Sequence, residues 1–242
     1  MSSTTVVIGV GPGLGMSIAH RFGREGHRIA LISRNGDRHP GYVSALADAG
    51  IEATSHPADV RDRDALLTAL STIAESHGGI DVVYYGPGAA DPAARPAPIT
   101  STDVAAAKDA MSWVYPAIDT VGAVLPEMVE RGNGGLLFAG GLSSVVPMPT
   151  IGNLALSSAA LRNYALTLNA ALADQGVYAG TLTIGGLIER GDIHRMVASQ
   201  LDRLDGMAVG TLNPDTLADA AWTLYAKREA PEAVFNAFTQ NG

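Results

Sequence analysis

Apolar residues along the chain fall into short, nearly unbroken runs, separated by longer stretches where they recur every three or four positions. The runs TTVVIGV, RIALIS, DVVYYG, GGLLFAG and YAGTLTIG have the length of strands. IEATSHPAD carries a weaker strand, and AVFNAF a weak last one. Between these runs, the helical period predicts helices over about 14–25, 41–49, 62–77, 101–131, 153–175 and 214–228. Strands that are apolar on both faces and alternate with helices belong to a parallel sheet covered on both sides.

The expected fold class is therefore α/β. It is a Rossmann-like, doubly wound, mostly parallel seven-stranded sheet with helices on both faces, in a single domain over residues 1–242. Ligands of such sheets bind beyond the C-terminal ends of the strands. Local signals add boundaries. Thr100 to Asp103 has capping-box spacing before the long fourth helix, and Pro116 is expected to kink or break that helix. Asn213 followed by Pro214 reads as a helix start, with Asn as the cap.

Composition narrows the chemistry. The chain has 242 residues, 47% of them hydrophobic, enough for one sizeable core. Its net charge is −8 and its few Lys and Arg are scattered, which argues against a nucleic-acid partner. It contains no cysteine, so thiolate chemistry and Cys-bound zinc are excluded, and its six histidines show no metal-ligand spacing. The start, MSSTT, lacks the positive charge of a signal peptide, and no apolar run reaches about 18 residues. A soluble, cytoplasmic protein without metal or membrane contact is expected.

The most informative stretch is VVIGVGPGLGMSIAHRF, Val6 to Phe22, a strand, a glycine turn and a helix. Backbone N–H groups and the positive end of the helix dipole converge there, and absent side chains let a phosphate approach. No Lys-Ser/Thr of a P-loop follows. Leu14 stands where G-x-G-x-x-G would need its last glycine; the spacing present is G-x-x-x-G-x-G, with Gly9, Gly13 and Gly15. At the end of the second strand, Ser33 and Arg34 offer no carboxylate to repel a 2′-phosphate and a guanidinium to pair with it. NADP(H) is thereby favoured over NAD(H).

This glycine spacing directly after the first strand resembles the short-chain dehydrogenase/reductase family, and the run of elements is similar over nearly the whole chain. The resemblance implies that Asp59 and Val60 hold the adenine. Tyr85 to Gly88 stand where the family reads Asn-Asn-Ala-Gly, and Gly86, Pro87 and Gly88 would lie against a ribose. Gly185 and Gly186 replace a Pro-Gly, and Leu187 and Ile188 would border the nicotinamide amide. The segment about 186–212 would fold over the substrate, and homodimers or homotetramers would form through the fourth and fifth helices.

The family's chemistry rests on Asn, Ser and a Tyr-x-x-x-Lys pair. Counting in register, those positions fall on Trp113, Gly141, Leu154 and Ser158, none of which can play the usual role. Ser143, Tyr85 and His194 are weak stand-ins, and Arg190 is a candidate for holding an anionic substrate. Trp113, Leu142, Val146, Met148, Leu154 and Leu187 would line an apolar pocket suited to a hydrophobic ligand. The expectation is an atypical NADP(H)-dependent short-chain reductase acting on a hydrophobic or electrophilic small molecule. Alternatives are a non-redox cyclase, isomerase or lyase on the same fold, or a non-catalytic cofactor-binding or scaffold protein.

Overall fold

The computed structural model of the protein describes residues 2–87, 96–198 and 210–238. Six strands follow the apolar runs: β1 (Thr4–Ile8), β2 (Arg28–Ser33), β3 (Ala53–Pro57), β4 (Val82–Tyr85), β5 (Gly134–Gly141) and β6 (Val177–Gly185). Two short strands, β7 (Leu187–Ile188) and β8 (Thr211–Leu212), pair with each other, and β9 (Glu232–Asn236) closes the main sheet. That sheet has seven strands in the order β3-β2-β1-β4-β5-β6-β9, all parallel. The order reverses between β1 and β4, and a crevice at such a switch point is where doubly wound sheets bind ligands.

The helices are α1 (Leu14–Arg24), α2 (His39–Asp48), α3 (Arg63–His77), α4 (Val104–Met111), α5 (Tyr115–Glu130), α6 (Gly152–Leu172), α7 (Asp192–Ala198) and α8 (Pro214–Lys227). Strand alternation sorts side chains into two cores. Val6, Ile8, Tyr85 and Phe138 pack beneath α3, α5 and α6. Val7, Tyr84 and Leu137 pack beneath α1 and α8. Each such fully buried apolar side chain contributes about 1.5–3 kcal/mol. Phe22 locks α1 to α8 by edge-on contact with Trp222, their ring centroids 5.1 Å apart.

The two strands with weak sequence signals, β3 and β9, are the two edges of the sheet, where one side of the strand has no neighbour to bury it. The predicted helix over 101–131 is two helices: the chain turns at 112–114, and Pro116 lies in the first turn of α5. Its missing N–H is harmless there, because the first N–H groups of a helix have no partner anyway. The cap of α4 is Asp103, which accepts from the Ala106 N–H at 2.8 Å, so the capping box at Thr100 does not form. Asn213 caps α8 as expected, accepting from the Asp215 N–H at 2.8 Å. The sequence pattern carries no signal for β7, β8 or α7, which are short and largely unburied.

Among the described residues, no helix is long and apolar enough to cross a membrane, and no group of three His, Asp or Glu could hold a metal ion.

Candidate functional site

The glycine turn sits at the switch point. Gly9 has a φ of +87°, and a Cβ there would come within 2.6 Å of Pro87 N and 2.7 Å of the Gly86 carbonyl carbon. Two backbones approach at that point because neither side chain intervenes. Gly15 does the same between α1 and the turn after β1, where a Cβ would stand 2.8 Å from Val10 Cα. Gly11, by contrast, has nothing within 4 Å of its Cβ position. Leu14 opens α1 and is buried in the core, so the helix N-terminus is anchored by an apolar side chain.

At the end of β2, Ser33 Oγ pairs with His39 Nε2 at 2.7 Å. His39 is buried at the start of α2, and its burial holds the imidazole below its ordinary pKa. Arg34 is exposed beside it. On the loop after β3, Asp59 Oδ1 accepts from the Arg61 N–H at 3.0 Å and Val60 is buried. Gly86 makes room for the Tyr84 ring, which lies against its Cβ position. Gly88 lies outside the described residues.

At the end of β5 three of the singled-out positions meet. A Cβ on Gly141 would stand 3.1 Å from Ser158 Oγ and 3.3 Å from Ser143 Oγ. Leu154 lies one turn before Ser158 on the same face of α6 and is half-buried. Ser144 Oγ is buried with no partner among the described residues.

Trp113 is not in this group. It lies in the turn between α4 and α5, with the Arg61 guanidinium 4.7 Å from its ring centroid. Its carbonyl oxygen accepts the Tyr85 hydroxyl at 2.7 Å. The side chain is therefore directed to the loop after β3 and to the core under β4, not to the pocket wall expected for it. Leu142 is also withdrawn, buried against Gly185, while Val146 is 41% exposed. Tyr85 fails as a stand-in acid. Its hydroxyl is spent on Trp113, and burial pushes its pKa far above the ordinary phenol range.

The segment after β6 begins at Gly186, whose φ of +150° and contact with Ala237 call for glycine. Ile188 pairs with Leu212 in the β7–β8 ribbon. Arg190 donates to Ser17 Oγ at 3.1 Å and pairs with Asp215 at 2.7 Å, so its guanidinium is already engaged. This pair holds the Asp215 carboxyl below its usual range. A cavity of about 370 Å³ lies beside the glycine turn, lined by Pro12, His20, Arg24 and Arg190 among others. Burial and the two arginines lower the His20 pKa. His194 lies half-buried on α7. Sequence reasoning missed the pair Arg38–Asp192, whose members stand 154 positions apart and carry no local signal.

The model of the short chain dehydrogenase family matches residues 3–190, and the chain belongs to that family of oxidoreductases. Gluconate 5-dehydrogenase of Gluconobacter oxydans is 27% identical over 159 residues, which cover 65% of this chain and 60% of that enzyme. Dehydrogenase/reductase SDR family member 4 of Bos taurus is 26% identical over 185 residues, covering 72% of this chain and 61% of the relative. The chain thus spans about three fifths of the length of these curated relatives. Among solved structures, L-sorbose reductase of Gluconobacter frateurii, complexed with NADPH and L-sorbose, superposes with a TM-score of 0.81. It is 19% identical, with 100% of this chain and 97% of that chain covered, a likeness of fold.

Proposed function

We propose that the protein is an NADP(H)-dependent reductase of a hydrophobic or electrophilic small molecule, working without the family's Tyr-Lys pair. The observation that carries this reading is the meeting of Gly141, Ser143 and Ser158 at the end of β5. It matches the register in which Ser, Tyr and Lys positions fall on Gly141, Leu154 and Ser158. The residues present fit the nucleotide. Gly11 leaves open space at the turn, α1 directs its N-terminus there, and Ser33 with Arg34 presents no negative charge to a 2′-phosphate. Solved relatives in complex with NADP or NADPH support the same cofactor.

Bound NADPH supplies a hydride. The chain's own part is to orient an acceptor against it and to limit water. Leu154 presents an apolar surface where the family places a proton donor, so an acceptor needing strong acid assistance is disfavoured. Ser143 and Ser158 offer hydroxyls that orient a polar group of the substrate. An already electrophilic carbon, as in an iminium ion or activated enone, suits such a site, since positioned acid–base catalysis adds only about 10²–10⁴-fold.

The test is a calorimetric titration with NADPH and NADH, followed by NADPH consumption with ketone, iminium and enone panels. Preferential NADPH binding with consumption on the electrophilic panels supports the reading. Binding of neither nucleotide overturns it. Binding without consumption on any panel moves the assignment to a non-redox enzyme or a cofactor-binding protein.

A further inference from the structure

The segment after β6 crosses directly over the glycine turn. A Cβ on Gly13 would meet Gly191 Cα and N at 3.1 Å and Glu189 O at 3.2 Å, so the two backbones are in contact. One ion pair fastens each side of this crossing. On the α1 side, Arg190 reaches Asp215 at 2.7 Å, with Ser17 Oγ donating to the same carboxylate at 2.8 Å. Arg190 has a φ of +65°, in the left-handed region that costs a residue with a Cβ roughly 1–2 kcal/mol. On the α2 side, Arg38 Nη1 donates to both carboxylate oxygens of Asp192, at 2.9 and 2.7 Å.

Arg38 is the residue just before α2, next to His39, and His39 Nε2 holds Ser33 Oγ. Its guanidinium therefore spans from the strand end where a 2′-phosphate would be read to the segment that covers the glycine turn. A guanidinium binds carboxylate and phosphate oxygens with the same geometry, and a phosphate monoester carries the greater charge.

We propose that Arg38 is a second reader of the 2′-phosphate and that Asp192 occupies it beforehand. Nucleotide binding exchanges the carboxylate for the phosphate on Arg38 and frees residues 189–192 from the glycine turn. The proposal rests on the NADP(H) reading above. It has a particular signature. Either nucleotide must displace 189–192 from Gly13 to reach the turn, so breaking the Arg38–Asp192 pair helps both. Only NADPH gains from Arg38 itself.

The experiment is a calorimetric titration of the full chain and its Asp192→Ala, Asp192→Asn and Arg38→Ala variants with NADPH and with NADH. The side chains of Arg38 and Asp192 are 56% and 36% exposed, so these substitutions leave the fold intact, which the melting temperature verifies. Both Asp192 variants are expected to bind each nucleotide roughly threefold more tightly, the scale of an exposed ion pair. Arg38→Ala is expected to bind NADH more tightly and NADPH at least threefold more weakly. Unchanged affinities in the Asp192 variants, or an equal effect of Arg38→Ala on both nucleotides, would overturn the proposal. If the unaltered chain prefers NADPH while the Asp192 variants are inert, the latch alone falls. If the unaltered chain binds neither nucleotide, the cofactor reading and the latch fall together.

Discussion

Gly141 and Ser158 face each other across the end of β5, with the missing Cβ of one leaving the space used by the hydroxyl of the other. Strand and helix registers meet there, and Ser143 Oγ closes the third side. Gly141→Ser must push these hydroxyls by a few tenths of an ångström. It is expected to cost about 1 kcal/mol through overpacking and to confer no ketone reduction, because Leu154 stays apolar. The triple variant Gly141→Ser, Leu154→Tyr, Ser158→Lys removes the Ser158 hydroxyl and supplies a proton donor. It is expected to raise NADPH-dependent ketone reduction by about 10²-fold or more. Urea melts and NADPH consumption measure the two effects, and a triple variant with no gain contradicts the register.

The glycines of the turn separate by what surrounds them. Gly9→Ala would drive a Cβ into the Pro87 and Gly86 backbone at a positive φ, and neither strand end can yield. A loss of about 3 kcal/mol or more is expected, a large share of the stability of an ordinary domain. Gly11→Ala meets nothing within 4 Å, so stability should stay within about 0.5 kcal/mol. Its methyl intrudes on the open side of the turn, and nucleotide affinity is expected to fall. Denaturant melts paired with NADPH titration distinguish a folding defect from a binding defect.

Tyr85→Phe removes the hydroxyl that donates to the Trp113 carbonyl. The expected result is a stability loss of about 1 kcal/mol and no change in turnover. A hundredfold loss of turnover at unchanged nucleotide affinity would instead return Tyr85 to the chemistry.

Acid is expected to destabilise the fold from just below neutral pH. His27 Nδ1 pairs with Thr5 Oγ1 at 2.7 Å inside the Phe22–Trp222 cluster, and burial lowers its pKa from 6.5. His39 is lowered for the same reason. Each folded-state pKa lies below the unfolded one, so the unfolded chain binds more protons in the interval between them. Stability is full above about 6.5 and falls as pH drops through the folded values. The urea midpoint should decline between pH 7 and 5, and more shallowly in His39→Gln. An equal slope in that variant removes His39 from the account.

A second loss is expected in more acid solution. Arg162 holds Glu232 through paired hydrogen bonds at 2.7 and 2.5 Å, and Thr183 Oγ1 donates to it at 2.6 Å, which keeps the carboxyl below its usual range. Its contribution is present above the unfolded carboxylate pKa of 4.5 and is lost as pH falls through the folded value. Glu232→Gln is expected to lower the melting temperature at pH 7 and to differ less from the unaltered chain at pH 3.

The order of strands and helices and the glycine turn were legible in the sequence because each rests on local pattern. Apolar runs bury themselves on both faces of a sheet, glycines permit close backbones, and a helix keeps its period. The weak signals at β3 and β9 were weak for a physical reason, since edge strands bury less. Tertiary structure decided the rest. The turn at 112–114 directs Trp113 under Arg61, Tyr85 spends its hydroxyl on that turn, and Arg38 meets Asp192 across 154 positions. No local period encodes such contacts: they exist only once distant parts of the chain are folded onto the same glycine turn.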